Sequence, residues 1–323
     1  MRLRRAVMGT AAAIMAIVIL MIWLRFDRDI SRARARAASG SMLVATPCGP
    51  IEYQEAGTGI PLLAIHGSGG GYDQGMAFAG ALAHQGVRVI AMSRFGYLRT
   101  PMPANASAEA QADAHACLLD ALGIRQAGVL GGSAGAPSAL QMAIRHPQRV
   151  RALVLLVPLT YKPTVVADSA PPLPPWVENA MMRLIGSDFL FWSALQTALD
   201  PLLKVVLATP PELLATATPQ ERTRVNAMLD NILPVSARAK GLAYDTAAGK
   251  HLVRAALESV RAPTLIVSAR DDRYGTYANA QYTAKEIVGA RFLGFEAGGH
   301  VWIGHNDEVM SAIVKLLFLP GAV

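Results

Sequence analysis

The sequence predicts an α/β fold with a mostly parallel sheet, on three observations. Short apolar runs, each long enough for a buried strand, alternate with helical patterns along most of the chain. Those runs are apolar on successive residues rather than on every second one, as strands covered on both faces require. The hydrophobic fraction of 52% against 16% charged residues in 323 residues supplies a sizeable core and excludes disorder.

The elements follow in order. SMLVAT and IEYQEAG flank a Pro-Cys-Gly-Pro turn and read as an antiparallel hairpin. PLLAIHG (61–67) ends an apolar run in glycine and reads as a strand. Residues 74–85 are helical in pattern, VRVIAMS (87–93) is a strand, and Ser107 can cap a helix that Gly123 stops. AGVLGGS (127–133) is a strand followed by a helix to about 146, then the strand VRALVLLVP (150–158). After a break come PTLIVSA (263–269), a helix near 277–288, RFLGFEA (291–297) and a terminal helix from about 307. The break, residues 159–250, opens with SAPPLPPW and continues in helical stretches, so it reads as a helical insertion over one end of the sheet. Its apolar residues, among them Trp176, Met181, Met182, Leu184, Ile185, Phe189 and Trp192, could line a pocket, form the insertion's own core or touch a bilayer.

The ends of the chain differ from its body. Residues 6–24 are uncharged and mainly apolar, and at helical rise they span about 28 Å, close to the hydrocarbon thickness. Arg2, Arg4 and Arg5 precede them, and Arg25, Arg28, Arg32, Arg34 and Arg36 follow. The division expected is a membrane anchor and basic linker at 1–40 and one catalytic domain at 41–323. A signal peptide cleaved near an ARA and a buried soluble helix are the alternatives, and the arginines do not fix an orientation. The net charge of +7 belongs to this leader: without its eight arginines and two aspartates the remainder carries 22 basic and 21 acidic residues. The body thus has no electrostatic case for nucleic acid. The two cysteines, Cys48 and Cys117, exclude a disulfide framework or a cysteine zinc cluster and are expected as free thiols, one bridge being the alternative.

The chemistry concentrates at strand ends. Ser133 lies in G-x-S-x-G between a strand and a helix, where small neighbours let a sharp turn lift the hydroxyl above the sheet edge. A serine needs a base, and the base an orienting acid. His300, in the glycine-lined EAGGHVWIGH, follows a strand; Asp271 and Asp272, in SARDDRYG, follow another. HGSGGG (66–71) supplies free backbone N–H groups, so Ser68 and Gly69, with Ala134 after the serine, are the candidate oxyanion donors. His66 reads as a structural residue below that loop and Arg94 as a loop anchor.

Together these motifs resemble the α/β-hydrolase family: the order Ser, Asp, His, the elbow, the HG-x-G loop and SRFGYLRTP (93–101) all match. The resemblance covers roughly 42–158 and 260–320 and leaves the insertion where the family places its lid. Ala269 replaces the glycine of the family's G-x-x-D, and counting three on selects Asp272, with Asp271 as substitute. The resemblance implies acyl transfer to water by Ser133, His300 and Asp272, with no metal or organic cofactor. It leads to a membrane-anchored serine hydrolase acting on a small to medium, fairly apolar carboxylic ester. Hydrolysis of a carbon–carbon bond in a diketone, and a hydrolase fold that only binds, are the alternatives.

Overall fold

In the computed structural model, residues 2–163 and 186–319 are described, together with Trp176 and Arg183. Of the insertion's apolar residues, Met181, Met182, Leu184 and Ile185 lie outside the described residues.

The sheet is built from β1 (Met42–Thr46), β2 (Gly49–Ala56), β3 (Ile60–Ile65), β4 (Val87–Met92), β5 (Ala127–Gly132), β6 (Val150–Leu156), β7 (Thr264–Ala269) and β8 (Arg291–Phe295). Their order is β1-β2-β4-β3-β5-β6-β7-β8. The hairpin β1–β2 pairs antiparallel and joins β4 antiparallel; β4, β3, β5, β6, β7 and β8 are mutually parallel. Side chains of a strand alternate between faces, and here both faces are covered. Leu62, Ala64, Val89, Ala91, Val154 and Val267 belong to one core, under α2 (Tyr72–Ala79) and α11 (Asn306–Leu317). Their neighbours Leu63, Ile65, Ile90, Leu153, Leu155 and Ile266 belong to the other. That second core lies under α3 (Ala108–Ala121), α4 (Ala136–Arg145) and α10 (Thr276–Glu286). This two-sided burial is why the strands read as unbroken apolar runs.

Local stops behave as the chain predicts. Ser107 Oγ accepts the Ala110 N–H at the start of α3, and Gly123 takes a positive φ of 66° just beyond its end. The helix expected over 74–85 is shorter: α2 ends at Ala79 and a tighter turn continues to His84.

Between β6 and β7 the described residues form α5 (Asp188–Thr197), α6 (Leu199–Val205), α7 (Pro211–Thr216), α8 (Pro219–Asp230) and α9 (Ala239–Gly249). Their buried residues Phe191, Trp192, Leu202, Leu203, Val225 and Met228 join the core of α2 and α11. Phe191 and Trp192 are therefore core residues, whereas Phe189 and Leu190 stay exposed.

Two expectations change. Cys48 and Cys117, expected as free thiols, form a disulfide with Cα atoms 6.2 Å apart. They are 69 residues apart; the fold lays the β1–β2 turn against α3, an adjacency that spacing does not reveal. The basic segment grouped with the leader is not a loose linker. A single helix α1 (Arg2–Ser39) contains both the apolar stretch, whose exposed face is uncovered, and the segment after it. Ile30, Ala33 and Ala37 of that segment are buried against the body, and Tyr72 Oη donates to the carbonyls of Arg36 and Ala37.

Candidate active site

Ser133 sits where β5 turns into a short helical turn before α4, with φ at 48°. A positive φ is costly for a residue with a Cβ and recurs at sites where the surroundings over-determine the backbone. The surroundings here are close. A Cβ on Gly135 would lie 2.5 Å from His66 O and 2.8 Å from Ile65 O, and one on Gly67 would lie 3.0 Å from Ser133 Cβ. Only glycines let the loop after β3 and the turn after β5 approach this far, which accounts for the G-x-S-x-G and HG-x-G patterns. Ser133 O also accepts the Leu159 N–H, so the chain leaving β6 holds the turn from the other side.

The loop after β7 supplies both aspartates, and they divide their work. Asp272 Oδ2 accepts from His300 Nδ1 at 2.8 Å and from Thr276 Oγ1, and its Oδ1 accepts the Tyr274 N–H. The Asp272 side chain is fully buried and His300 nearly so. Asp271 instead accepts the Gly299 N–H at 2.8 Å and the Gly298 N–H at 3.2 Å. It holds the histidine loop rather than the histidine ring. His305 supports the same loop, bonding Ala297 O through Nε2 and stacking on Phe295.

The oxyanion candidates separate. Ala134 begins a helical turn, where the first N–H groups have no intrahelical acceptor. Ser68 N has no partner among the described residues, while Ser68 Oγ donates to Asp245. Gly69 N–H points elsewhere, to Tyr97 Oη at 3.3 Å. The three candidates thus reduce to two uncommitted donors, Ser68 and Ala134. Asp272 and His300 are in contact; Ser133 Oγ has no hydrogen bond among the described residues. Bonds of this kind are often long in unliganded sites and tighten on binding.

His66, at the end of β3, is fully buried, and its pKa lies well below the ordinary histidine value because of burial and then the Arg94 charge. It is neutral, with Nδ1 donating to Gly67 O and Nε2 accepting the Arg94 N–H. His66 and Arg94 are thus the structural pair expected. The Arg94 guanidinium is bidentate to Asp245, which also accepts from Tyr97 Oη. Burial and then Asp245 hold the Tyr97 hydroxyl well above its ordinary pKa, so it remains a donor.

Sequence reasoning missed Asp245, which lies on α9 and has no local signal separating it from a solvent-facing helical acid. It also missed Arg238, which donates to Gly70 O and pairs with Asp73, holding the glycine loop from above. Thr209, after α6, accepts the His300 N–H at 3.0 Å, and Tyr274 meets the His300 ring edge to face at 4.9 Å. A cavity of about 300 Å³ opens beside Ala134, between α3, α4 and the segment after α9. Among the described residues, no three His, Cys, Asp or Glu side chains are grouped to hold a metal.

Residues 60–304 match the family model described as alpha/beta hydrolase fold. A 2-hydroxymuconate semialdehyde hydrolase from Pseudomonas putida is 44% identical over 105 residues, 32% of this chain and 37% of that protein. The match therefore spans little more than a third of that relative's length. The hydrolase YcgS of Bacillus subtilis is 26% identical over 277 residues, 82% of this chain and 94% of that protein. An alpha/beta hydrolase fold protein from Nakamurella multipartita superposes with a TM-score of 0.68 at 29% identity, covering 86% of this chain and 98% of that one.

Proposed function

The chain belongs to the alpha/beta-hydrolase fold family, and on that premise we propose that it is a serine hydrolase that cleaves an apolar carboxylic ester. It would be anchored to a membrane through residues 6–24, with the helices between β6 and β7 as its lid. The observation that carries the reading is the buried Asp272–His300 pair after β7 and β8 of the same parallel sheet whose strand β5 ends at Ser133 on its positive-φ turn.

In this reading His300 Nε2 takes the Ser133 proton as Oγ attacks the ester carbonyl. Asp272, on Nδ1, fixes the tautomer and stabilises the imidazolium. The oxyanion receives the N–H groups of Ser68 and Ala134. His300 then protonates the departing alkoxide, and water, deprotonated by the same ring, hydrolyses the acyl-Ser133 ester.

A second reading has an observation of its own. The Pseudomonas putida relative is named for a semialdehyde of a dienoic acid, so carbon–carbon bond hydrolysis is the alternative reaction at the same serine. Both buried arginines near the site are paired, Arg94 with Asp245 and Arg238 with Asp73. But Arg94 Nε is buried without an acceptor among the described residues, and Arg94 lines the cavity beside Ala134, so a substrate carboxylate would find a donor there.

A fluorophosphonate probe tests the nucleophile: wild type is labelled and Ser133→Ala is not. Absence of labelling on folded protein returns the chain to a binding role. Turnover of p-nitrophenyl esters against a vinylogous diketone acid then separates the two reactions.

A further inference from the structure

The C-terminal half of α1 stays on the body and runs antiparallel to α5. Arg25 donates to Gln196 Oε1 at 2.6 Å, Trp192 Nε1 donates to Asp29 at 3.1 Å, and Arg34 pairs with Asp188 at 3.2 Å. Phe26 closes the contact against Phe189 and Trp192, with ring centroids 5.2 Å and 5.6 Å apart. These pairs fix the level of α5 along α1. Its last turn, at Gln196, stands beside Arg25, the first charged residue after the apolar stretch.

The next helix carries that level to the catalytic loop. α6 starts at Leu199, whose side chain is exposed, and runs seven residues, about 10 Å. At its far end Tyr274 Oη donates to Val205 O and Val206 O, and Thr209 accepts the His300 N–H. One short helix thus separates the end of the apolar stretch from the histidine. At the corner, Arg25 and Arg28 keep more than half of their side chains exposed, which suits anionic headgroups, and the exposed Leu199 stands with them.

We propose that the α5–α6 corner rests on the lipid surface, and that Ser133 acts on a long-chain acyl ester drawn from that membrane. The occupant of the corner is a bilayer because α1 puts one there: any membrane crossed by residues 7–24 ends where Gln196 and Leu199 stand. The substrate half of the proposal rests on the serine-hydrolase reading, and the surface half on the proposed anchoring through residues 6–24.

Both cysteines are bridged, so an introduced cysteine is the free thiol. The full chain, carrying Leu199→Cys labelled with a nitrobenzoxadiazole probe, is placed in phosphatidylcholine–phosphatidylglycerol vesicles. Val288→Cys, 87% exposed just before the start of β8 and so at the end of the strands away from the catalytic loops, is the control. Headgroup spin-labelled lipid quenches the Leu199 probe severalfold more than the control. Equal quenching overturns the proposal, and so does a blue shift that follows protein density without lipid quenching, which assigns the corner to a second copy. In a second arm, Leu199→Glu lowers turnover of p-nitrophenyl palmitate in vesicles about tenfold, equivalent to about 1.4 kcal/mol, and leaves p-nitrophenyl acetate turnover unchanged. An equal fall on both esters overturns the membrane route. A quenched probe with neither ester cleaved refutes the hydrolase reading and upholds the surface contact.

Discussion

Asp271 and Asp272 grip the same loop at different points: Asp272 takes the His300 ring through Nδ1, and Asp271 takes the backbone N–H groups of Gly298 and Gly299. Adjacent carboxylates thus separate orienting the base from placing it. Asp272→Asn is expected to lower kcat by roughly 10⁴, because the amide no longer enforces the tautomer. Asp271→Asn keeps one acceptor and is expected to lower kcat by about tenfold, or about 1.4 kcal/mol of barrier. Steady-state kinetics on one ester decides; a larger loss from Asp271→Asn reverses the assignment.

Stability falls in acid through a residue remote from the chemistry. His115 is fully buried, with Nε2 on Ser138 Oγ, and burial followed by the charges of Arg94 and His146 lowers its pKa to about 3. Its folded pKa lies below the ordinary value of 6.5, so the unfolded chain binds the proton first. The neutral ring's contribution is complete above 6.5 and is lost as pH falls towards 3. At pH 5 the loss is about 2 kcal/mol. Urea unfolding at pH 7 and pH 5 measures it; His115→Gln is expected to lose less on acidification than wild type.

Asp245 holds a buried charge in place. Asp245→Ala leaves the Arg94 guanidinium buried without its partner and is expected to cost about 3–5 kcal/mol. It also frees Ser68, whose hydroxyl bonds the same carboxylate. Denaturant midpoints read the first effect. A fall in kcat at temperatures where the variant is folded reads the second, and unchanged kcat there removes Asp245 from any role in positioning the oxyanion loop.

Truncation separates the two halves of α1. Among the described side chains, removing residues 1–24 takes away only exposed ones and is expected to leave the unfolding temperature unchanged. Removing 1–40 also strips Ile30, Ala33 and Ala37 from the body and is expected to cost about 3 kcal/mol. Thermal unfolding of the two truncated chains tests this; equal midpoints refute it.

The sheet was legible because each strand is short, apolar throughout and bounded by glycine or a cap. Ser133 and His300 stood out as candidates because each follows a strand among glycines, and Asp271 and Asp272 because they follow a strand directly. Asp245, Arg238 and Thr209 were not, for a shared physical reason. Each acts across a long sequence separation from a helix or a turn of the insertion, and nothing in its immediate neighbours distinguishes a buried partner from a surface polar residue. The Cys48–Cys117 bridge was hidden in the same way, since it depends on where the hairpin lies against α3. The choice between Asp271 and Asp272 needed coordinates: a one-residue shift separates a ring contact from a backbone contact.

The continuity of α1 has a mechanical consequence. A flexible tether over residues 25–39 would let the body sweep a radius of about 20 Å. A docked helix permits no such sweep. Under the proposed anchoring through residues 6–24, the body would keep a fixed height and tilt over the membrane, and a search for substrate there would be two-dimensional.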